Sequence, residues 1–383
     1  MDNKTKVKVA VVIGIVVLAV IFIFMVVFVK GNRIKTNPNI PRKGEEGYVD
    51  PTATNTNTTS SSTRSDENPT TVSGEETPVS RQDTLTDTIS LGIQNGNLVK
   101  IGSDLSVTNV TFLGNEYLEF CYGDNKAFVA IDNGNGEVCV VQIDLSKSDY
   151  PEKILIEGGY GTIHNIEYYE GKLYFISGSS QLVEYSIEES FARGLTNVNE
   201  TSSFVINQEN NTMYVSYRPS GVNPGIYVLD FTANTFTQII TLNDLAGELI
   251  LNGKTLVIDV KDYGSLYLYN IEKNTVAGIG ADNYLASARD QIAFYNNIVL
   301  YTNGSSIDLK NEDGNVYQDS WYVLNDNSIA SISMLDDTRI QLARYDENGK
   351  AGGNITRSVV INLSDGTTTE KSDTVYLDVI RIK

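Results

Sequence analysis

Hydrophobic and polar positions follow two different rules along this chain. From Val9 to Val29, none of 21 consecutive residues carries a charge or a side-chain amide. From Thr88 onward, apolar residues instead recur in short runs of alternating positions, broken by pairs of turn residues. The first rule predicts a helix: at about 1.5 Å per residue it reaches roughly 32 Å, enough to cross a hydrocarbon core of about 30 Å. A helix also pairs every backbone amide within the segment, as a bilayer demands. A cleaved signal peptide, with an apolar stretch of about 7–15 residues and a small-residue cleavage site, fits less well. This run is longer and ends Met25-Val26-Val27-Phe28-Val29-Lys30.

The second rule predicts an all-β domain over residues 88–383. Turn pairs recur at Asn95-Gly96, Asn133-Gly134, Asn252-Gly253, Asn303-Gly304, Asp313-Gly314, Asn348-Gly349 and Asp365-Gly366, and these residues supply the positive φ angles of tight hairpins. A repeat runs through the domain. Gln142-Ile143-Asp144-Leu145, Glu184-Tyr185-Ser186-Ile187, Val228-Leu229-Asp230-Phe231, Leu268-Tyr269-Asn270-Ile271 and Val360-Ile361-Asn362-Leu363 align, with weaker members at Gly102 and Asp308. The anchors 102, 144, 186, 230, 270, 308 and 362 are separated by 42, 42, 44, 40, 38 and 54 residues, a period near 40 but for the last interval, as a four-stranded propeller blade gives. Seven such units fill the domain, so the expected fold is a seven-bladed β-propeller.

One unit parses as His164 to Glu170, Lys172 to Ser177, Gln181 to Ile187 and Phe191 to Thr196, from innermost to outermost strand. Leu173 and Phe175 fall on one face and Tyr174 and Ile176 on the other, as a blade packed between two neighbours requires. The first unit lacks an innermost strand, and Thr374 to Ile382 is left over at the end. Pairing the two closes the ring and removes two sheet edges. The insertion-like stretch Lys310 to Asp319 leaves the boundaries of the fifth and sixth blades unset.

Between span and domain, residues 30–87 read as a linker whose Thr/Ser/Asn/Pro-rich part, Thr36 to Asp87, buries too little apolar surface to offset chain entropy. Residues 1–8 are then a short cytoplasmic tail, 9–29 a single-span membrane anchor, and 88–383 an extracytoplasmic domain at the cell envelope. The basic residues flanking the span are nearly balanced, so the stalk-like linker, not the charge count, carries that orientation.

Charge narrows the partners. Eight of the 29 basic residues precede residue 44 and Asp2 is the only acid there, leaving 21 basic and 47 acidic groups in the remainder, net −26. Such a surface repels phosphate backbones, so no nucleic acid is expected. Cys121 and Cys139 are expected to be separated by a third strand, Lys126 to Asp132, which puts them beyond disulfide reach as two buried free thiols.

Few residues offer catalytic chemistry. His164 is the only histidine, which excludes a zinc site with two His ligands, and no Gly-x-Ser-x-Gly elbow accompanies it. His164 is expected to be a structural inner-strand residue. The loops Asp132-Asn133-Gly134-Asn135-Gly136-Glu137 and Asn311-Glu312-Asp313-Gly314-Asn315 lack the ligand spacing of a calcium loop and read as hairpin turns. Tyr168, Tyr169, Tyr174, Tyr185, Tyr214, Tyr227, Tyr267 and Tyr269 could form a carbohydrate platform, but their strand positions favour blade packing. No catalytic, cofactor-binding or metal residue is therefore assigned, and no cofactor is expected.

The anchor, the stalk and repeats of the type Gly171-Lys172-Leu173-Tyr174-Phe175 followed by Leu182-Val183-Glu184-Tyr185-Ser186-Ile187 resemble bacterial envelope proteins whose propeller is similar to those of the low-density lipoprotein receptor-related proteins. The Tyr-Trp-Thr-Asp signature of those receptors is absent. The resemblance implies a binding or scaffolding role, with an envelope protein or a glycan as partner. The alternative is a glycan-cleaving propeller using channel-facing carboxylates. Carboxylates from different innermost strands meeting in one pocket would favour the alternative.

Overall fold

The computed structural model describes residues 87–382, apart from 115–116, 135, 261–264, 280–289, 303, 312, 324–328, 346–354 and 373–374. The expected tail, membrane span and nearly all of the linker lie outside the described residues, as do Asn303, Asn348 and Gly349. Among the described residues no helix is long and apolar enough to cross a membrane.

Alternation and turn chemistry build the sheets. Asn95-Gly96, Asp124-Asn125 and Glu170-Gly171 all hold both residues at positive φ, the geometry that matches the twist of a two-residue hairpin. Asn133-Gly134 lies in a longer connection, where Asn133 N donates to Glu137 O. Seven four-stranded antiparallel sheets account for the 28 strands among the described residues. The first joins the two ends of the domain: β1 (Thr88–Gln94), β2 (Asn97–Gly102) and β3 (Val107–Phe112) take their inner neighbour from β28 (Leu377–Arg381).

The other six are meanders of consecutive strands. The second blade holds β4–β7 (Tyr117–Gly123, Lys126–Asp132, Val138–Asp144, Glu152–Ile156) and the third β8–β11 (Ile163–Tyr169, Lys172–Ser177, Leu182–Ser186, Phe191–Gly194). The fourth holds β12–β15 (Thr201–Asn207, Thr212–Tyr217, Gly225–Asp230, Thr235–Thr241) and the fifth β16–β19 (Leu249–Asn252, Thr255–Val260, Ser265–Asn270, Thr275–Gly278). The sixth holds β20–β23 (Ile292–Tyr295, Ile298–Thr302, Ser306–Asn311, Val316–Val323) and the seventh β24–β27 (Ile329–Met334, Arg339–Tyr345, Ile355–Asn362, Thr368–Ser372). First strands of neighbouring sheets lie against one another from β20 through β24, β28, β4, β8 and β12 to β16. The fold is a seven-bladed β-propeller.

The repeat has a physical cause. Each third strand ends where the second begins, as in Asp144↔Lys126, Asp230↔Thr212 and Asn362↔Arg339, and the small polar residue there holds the next turn. Asp144 Oδ1 accepts from Ser146 N (3.0 Å), Asp230 Oδ1 from Thr232 N (2.8 Å), Asn270 Oδ1 from Lys273 N (3.0 Å) and Asn362 Oδ1 from Ser364 N (2.9 Å), the turn chemistry of Asp and Asn side chains. In the sixth blade this residue is Asn311, paired with Ile298 and accepting from Asn315 N at 2.9 Å. The expected anchor Asp308 instead sits mid-strand and accepts from Ser320 N. Lys310 to Asp319 is thus no insertion: it is a strand end, a hairpin and the start of β23.

Seven apolar clusters fill the spaces between blades. Leu173 and Phe175 enter the cluster toward the second blade with Phe128 and Ile163, while Tyr174 and Ile176 enter the one toward the fourth with Phe204 and Met213. Burying each such side chain contributes about 1.5–3 kcal/mol. The closing cluster joins Val99 and Ile101 to Leu335, Val360 and Tyr376. Cys121 and Cys139 lie on β4 and β6 with β5 between them and are free thiols. Only Cys121 is buried, and Cys139 is partly buried against the cluster between the first and second blades; this corrects the expectation of two buried thiols.

Carboxylates also brace the blades. Glu184 on β10 is buried and accepts from Arg193 Nε (2.8 Å) and the Tyr174 hydroxyl (2.9 Å), with Lys172 Nζ at 3.2 Å. Burial alone would raise its carboxyl, but the three donors together hold it below the ordinary 4.5. Asp336, braced by Arg339 and the Thr338 amide, is likewise held below 3.8 against its burial. A depressed folded value means that the stabilisation is complete above the unfolded value and is lost as pH falls through the folded one. Denaturant midpoints should therefore be flat above about pH 5 and fall below about pH 4, and Glu184→Gln should reduce that fall. An acid slope identical in the variant and the parent would show that Glu184 does not contribute.

Candidate functional site

The innermost strands present one edge to the central channel, so their outward amides have no next strand to pair with. Side chains of the preceding blade meet this need. Glu119 Oε2 on β4 accepts from Ile166 N (3.2 Å) on β8, and Glu167 Oε2 on β8 accepts from Ile206 N (3.0 Å) on β12. Asn165 Oδ1 accepts from Phe204 N (3.0 Å) and the Ser203 hydroxyl (2.8 Å), and Ser203 Oγ accepts from Leu249 N (3.0 Å). Four successive innermost strands are thus linked around the channel.

At the end where the innermost strands begin, a pocket of about 430 Å³ opens between the sixth, seventh, first and second blades. Three carboxylates line it: Glu119 from β4, Asp378 from β28, and Asp290 from the approach to β20. The rest of the wall is mostly apolar, with Ile292, Ile332, Leu377 and Val379, and Tyr345 at its rim. No basic residue is among the described residues lining it. Asp378 stands in the left-handed region at φ 48, and its Oδ2 accepts from the Tyr117 hydroxyl at 2.7 Å. Burial, reinforced by the Asp378 charge, raises the Tyr117 hydroxyl far above its ordinary 10. That hydroxyl stays protonated and remains a donor. Negative charge set in an apolar wall suits a cationic group on an apolar stem.

The residues weighed in the sequence do not gather here. His164 lies on innermost strand β8, as expected, in register with Ile176, but is exposed and absent from the pocket wall. Both acidic loops are turns. Asp132 Oδ1 accepts from Gly134 N and Glu137 Oε2 from Gly159 N, while Asn311 Oδ1 accepts from Asp313 N and Asn315 N. Tyr174, Tyr185, Tyr214, Tyr227 and Tyr269 are buried between blades as expected, and Tyr168, Tyr169 and Tyr267 partly so. Burial first, then the nearby Glu167 and Glu119 charges, pushes the Cys121 thiol well up, away from nucleophilic use. Among the described residues no group of three His, Cys, Asp or Glu could hold a metal ion. Sequence reading missed Glu119, Asp290 and Asp378; the signal was an acid near the start of an innermost strand, which becomes readable only once the blade order is known.

No protein-family model matches the chain, and no curated protein matches it by sequence. Among solved structures, the nidogen/laminin complex matches at 11% identity and a TM-score of 0.46, over 60% of this chain and 92% of that one. TolB from Acinetobacter baumannii matches at 12% and 0.44, over 61% and 63%. PorZ, a surface component of the type-IX secretion system of Porphyromonas gingivalis, matches at 11% and 0.49, over 76% of this chain and 38% of that one.

Proposed function

We propose that this protein is a membrane-anchored, extracytoplasmic recognition module at the cell envelope, and that its propeller takes up a basic side chain of an envelope protein at the channel mouth. The carrying observation is the pocket in which Glu119, Asp290 and Asp378 stand in an apolar wall. A carboxylate already held by a donor, as Asp378 is by Tyr117 and Glu119 by the Ile166 amide, offers charge to a ligand more readily than a proton to a leaving group. The apolar run Val9 to Val29 and the stalk behind it support the anchor, and the blade-connecting loops supply the variable surface around the mouth. The second reading is glycan cleavage, favoured by the same meeting of three carboxylates from different strands.

The test is crosslinking in intact cells with a membrane-impermeant reagent. Asp378→Asn removes the charge while keeping a residue that tolerates the left-handed backbone. Partner recovery should fall at least about tenfold, the equivalent of about 1.4 kcal/mol, and His164→Ala should leave it unchanged. Equal recovery in both variants, or none from intact cells, defeats the proposal. Release of reducing sugar from a glycan, lost in Asp378→Asn, would install the enzyme instead.

A further inference from the structure

A second cavity, of about 300 Å³, opens between the third and fourth blades on the face carrying the hairpins that join first to second and third to fourth strands. It is separate from the channel: its wall shares no residue with the pocket holding Asp378. The geometry points to a subsite for a neutral saccharide.

A sugar ring combines an apolar face of C–H bonds with an edge of hydroxyls, so its site needs an aromatic wall and a set of fixed donors and acceptors. The wall is Tyr169 stacked on Phe231, with ring centroids 5.2 Å apart and planes 19° from parallel, and Phe231 in turn leans on buried Tyr174 at 5.4 Å. Both rings are set by their strands, because Tyr169 ends β8 and Phe231 follows β14. The Tyr169 hydroxyl donates to Asn211 Oδ1 at 2.9 Å, and Asn211 Nδ2 donates to Thr232 Oγ1 at 2.9 Å. The aromatic wall and the polar rim are therefore one connected unit.

The opposite wall is the Glu184 cluster. Glu184 is buried and saturated by Arg193, Lys172 and Tyr174, while the two cations are themselves half exposed. Arg193 spends only Nε on Glu184, so the guanidinium fork keeps donors for hydroxyl oxygens. Charge decides the ligand class. Lys172 and Arg193 are offset by Glu184 and by Glu170 at the rim, so the cavity carries no net charge. That balance favours a neutral polyol over an anion, whose charge Glu170 and Glu184 would oppose. A size of about 300 Å³ is the lower end for small-molecule sites and suits one or two rings.

The experiment uses the purified full-length chain and saturation-transfer NMR, with cellobiose, maltose, lactose and chitobiose as neutral probes and glucuronate and inorganic phosphate as anionic ones. At least one neutral disaccharide should receive saturation on its ring C–H protons. Phe231→Leu, which keeps apolar bulk but removes the ring stacked on Tyr169, and Arg193→Gln should each weaken that binding at least about tenfold. Thr232→Ala, at an exposed position, should weaken it severalfold with the melting transition unchanged. Asp378→Asn should leave it untouched, which keeps this subsite distinct from the channel reading. No transfer to any neutral probe from folded protein, binding of the anions alone, or equal affinity in Phe231→Leu and Thr232→Ala would each overturn the assignment.

Discussion

Removal of Thr374 to Lys383 is expected to abolish the single cooperative unfolding transition of the propeller and to drive the truncated protein into aggregates. The segment is the innermost strand of the first blade, pairing Arg381 with Ser90, Ile380 with Leu91 and Leu377 with Ile93. Its loss exposes the β1 edge and takes Tyr376 out of the closing cluster. It also orphans a buried amide: Gln341 Nε2 donates to Tyr376 O at 2.7 Å and its Oε1 accepts from Tyr376 N at 3.1 Å. Each buried group left unpaired costs about 1–3 kcal/mol, and a domain of this kind is stable by only about 5–15 kcal/mol. The surface ion pair between Arg381 and Asp337 is a minor part, so Asp337→Ala should cost less than about 1 kcal/mol. Calorimetry with size-exclusion chromatography decides the matter, and a monomeric truncation with the parent melting transition would mean that the ring is held by other contacts.

Gly123→Ala should destabilise the domain by about 2–3 kcal/mol, a large cost for one methyl group. A Cβ at this position would lie 1.8 Å from Tyr168 Cδ1 and 2.5 Å from Cε1. The ring cannot yield cheaply, since it stacks on Phe128 at 5.1 Å and 7°. Its hydroxyl bonds to Asp124 and accepts from Gly171 N at 3.0 Å. Burial and then the Asp124 bond push that hydroxyl up to about 12, so it stays a donor at any physiological pH. Adding Tyr168→Ala removes the obstacle, so the double variant should be no less stable than Tyr168→Ala alone. Denaturant unfolding of the three variants checks this. Additive losses would show that the close approach is not the cause.

Much of this architecture was readable because it depends on local chemistry that repeats. The Asp or Asn that closes five of the seven third strands is both a sequence mark and a turn acceptor, so period, blade count and the need for a closing strand follow from it. The sixth blade misled for the same reason: Asp308 has the right residue type, yet its carboxylate bonds to Ser320 across the sheet while Asn311 holds the turn. The candidate site was not readable. Glu119, Asp290 and Asp378 are far apart in the chain and meet only because ring closure brings the first and last blades together, and no local pattern marks an acid that faces a channel.

The closing strand also sets a clock. Leu91 and Ile380 pair across almost the whole domain, so at about 5–20 residues per second of synthesis the partner of β1 arrives on the order of 15–60 s after it. During that interval six blades can complete as local meanders, while β1 keeps an unpaired backbone edge that any extended segment could occupy. Maturation of this domain is therefore limited by β28, and a nascent chain held short of that strand is the form most in need of a chaperone.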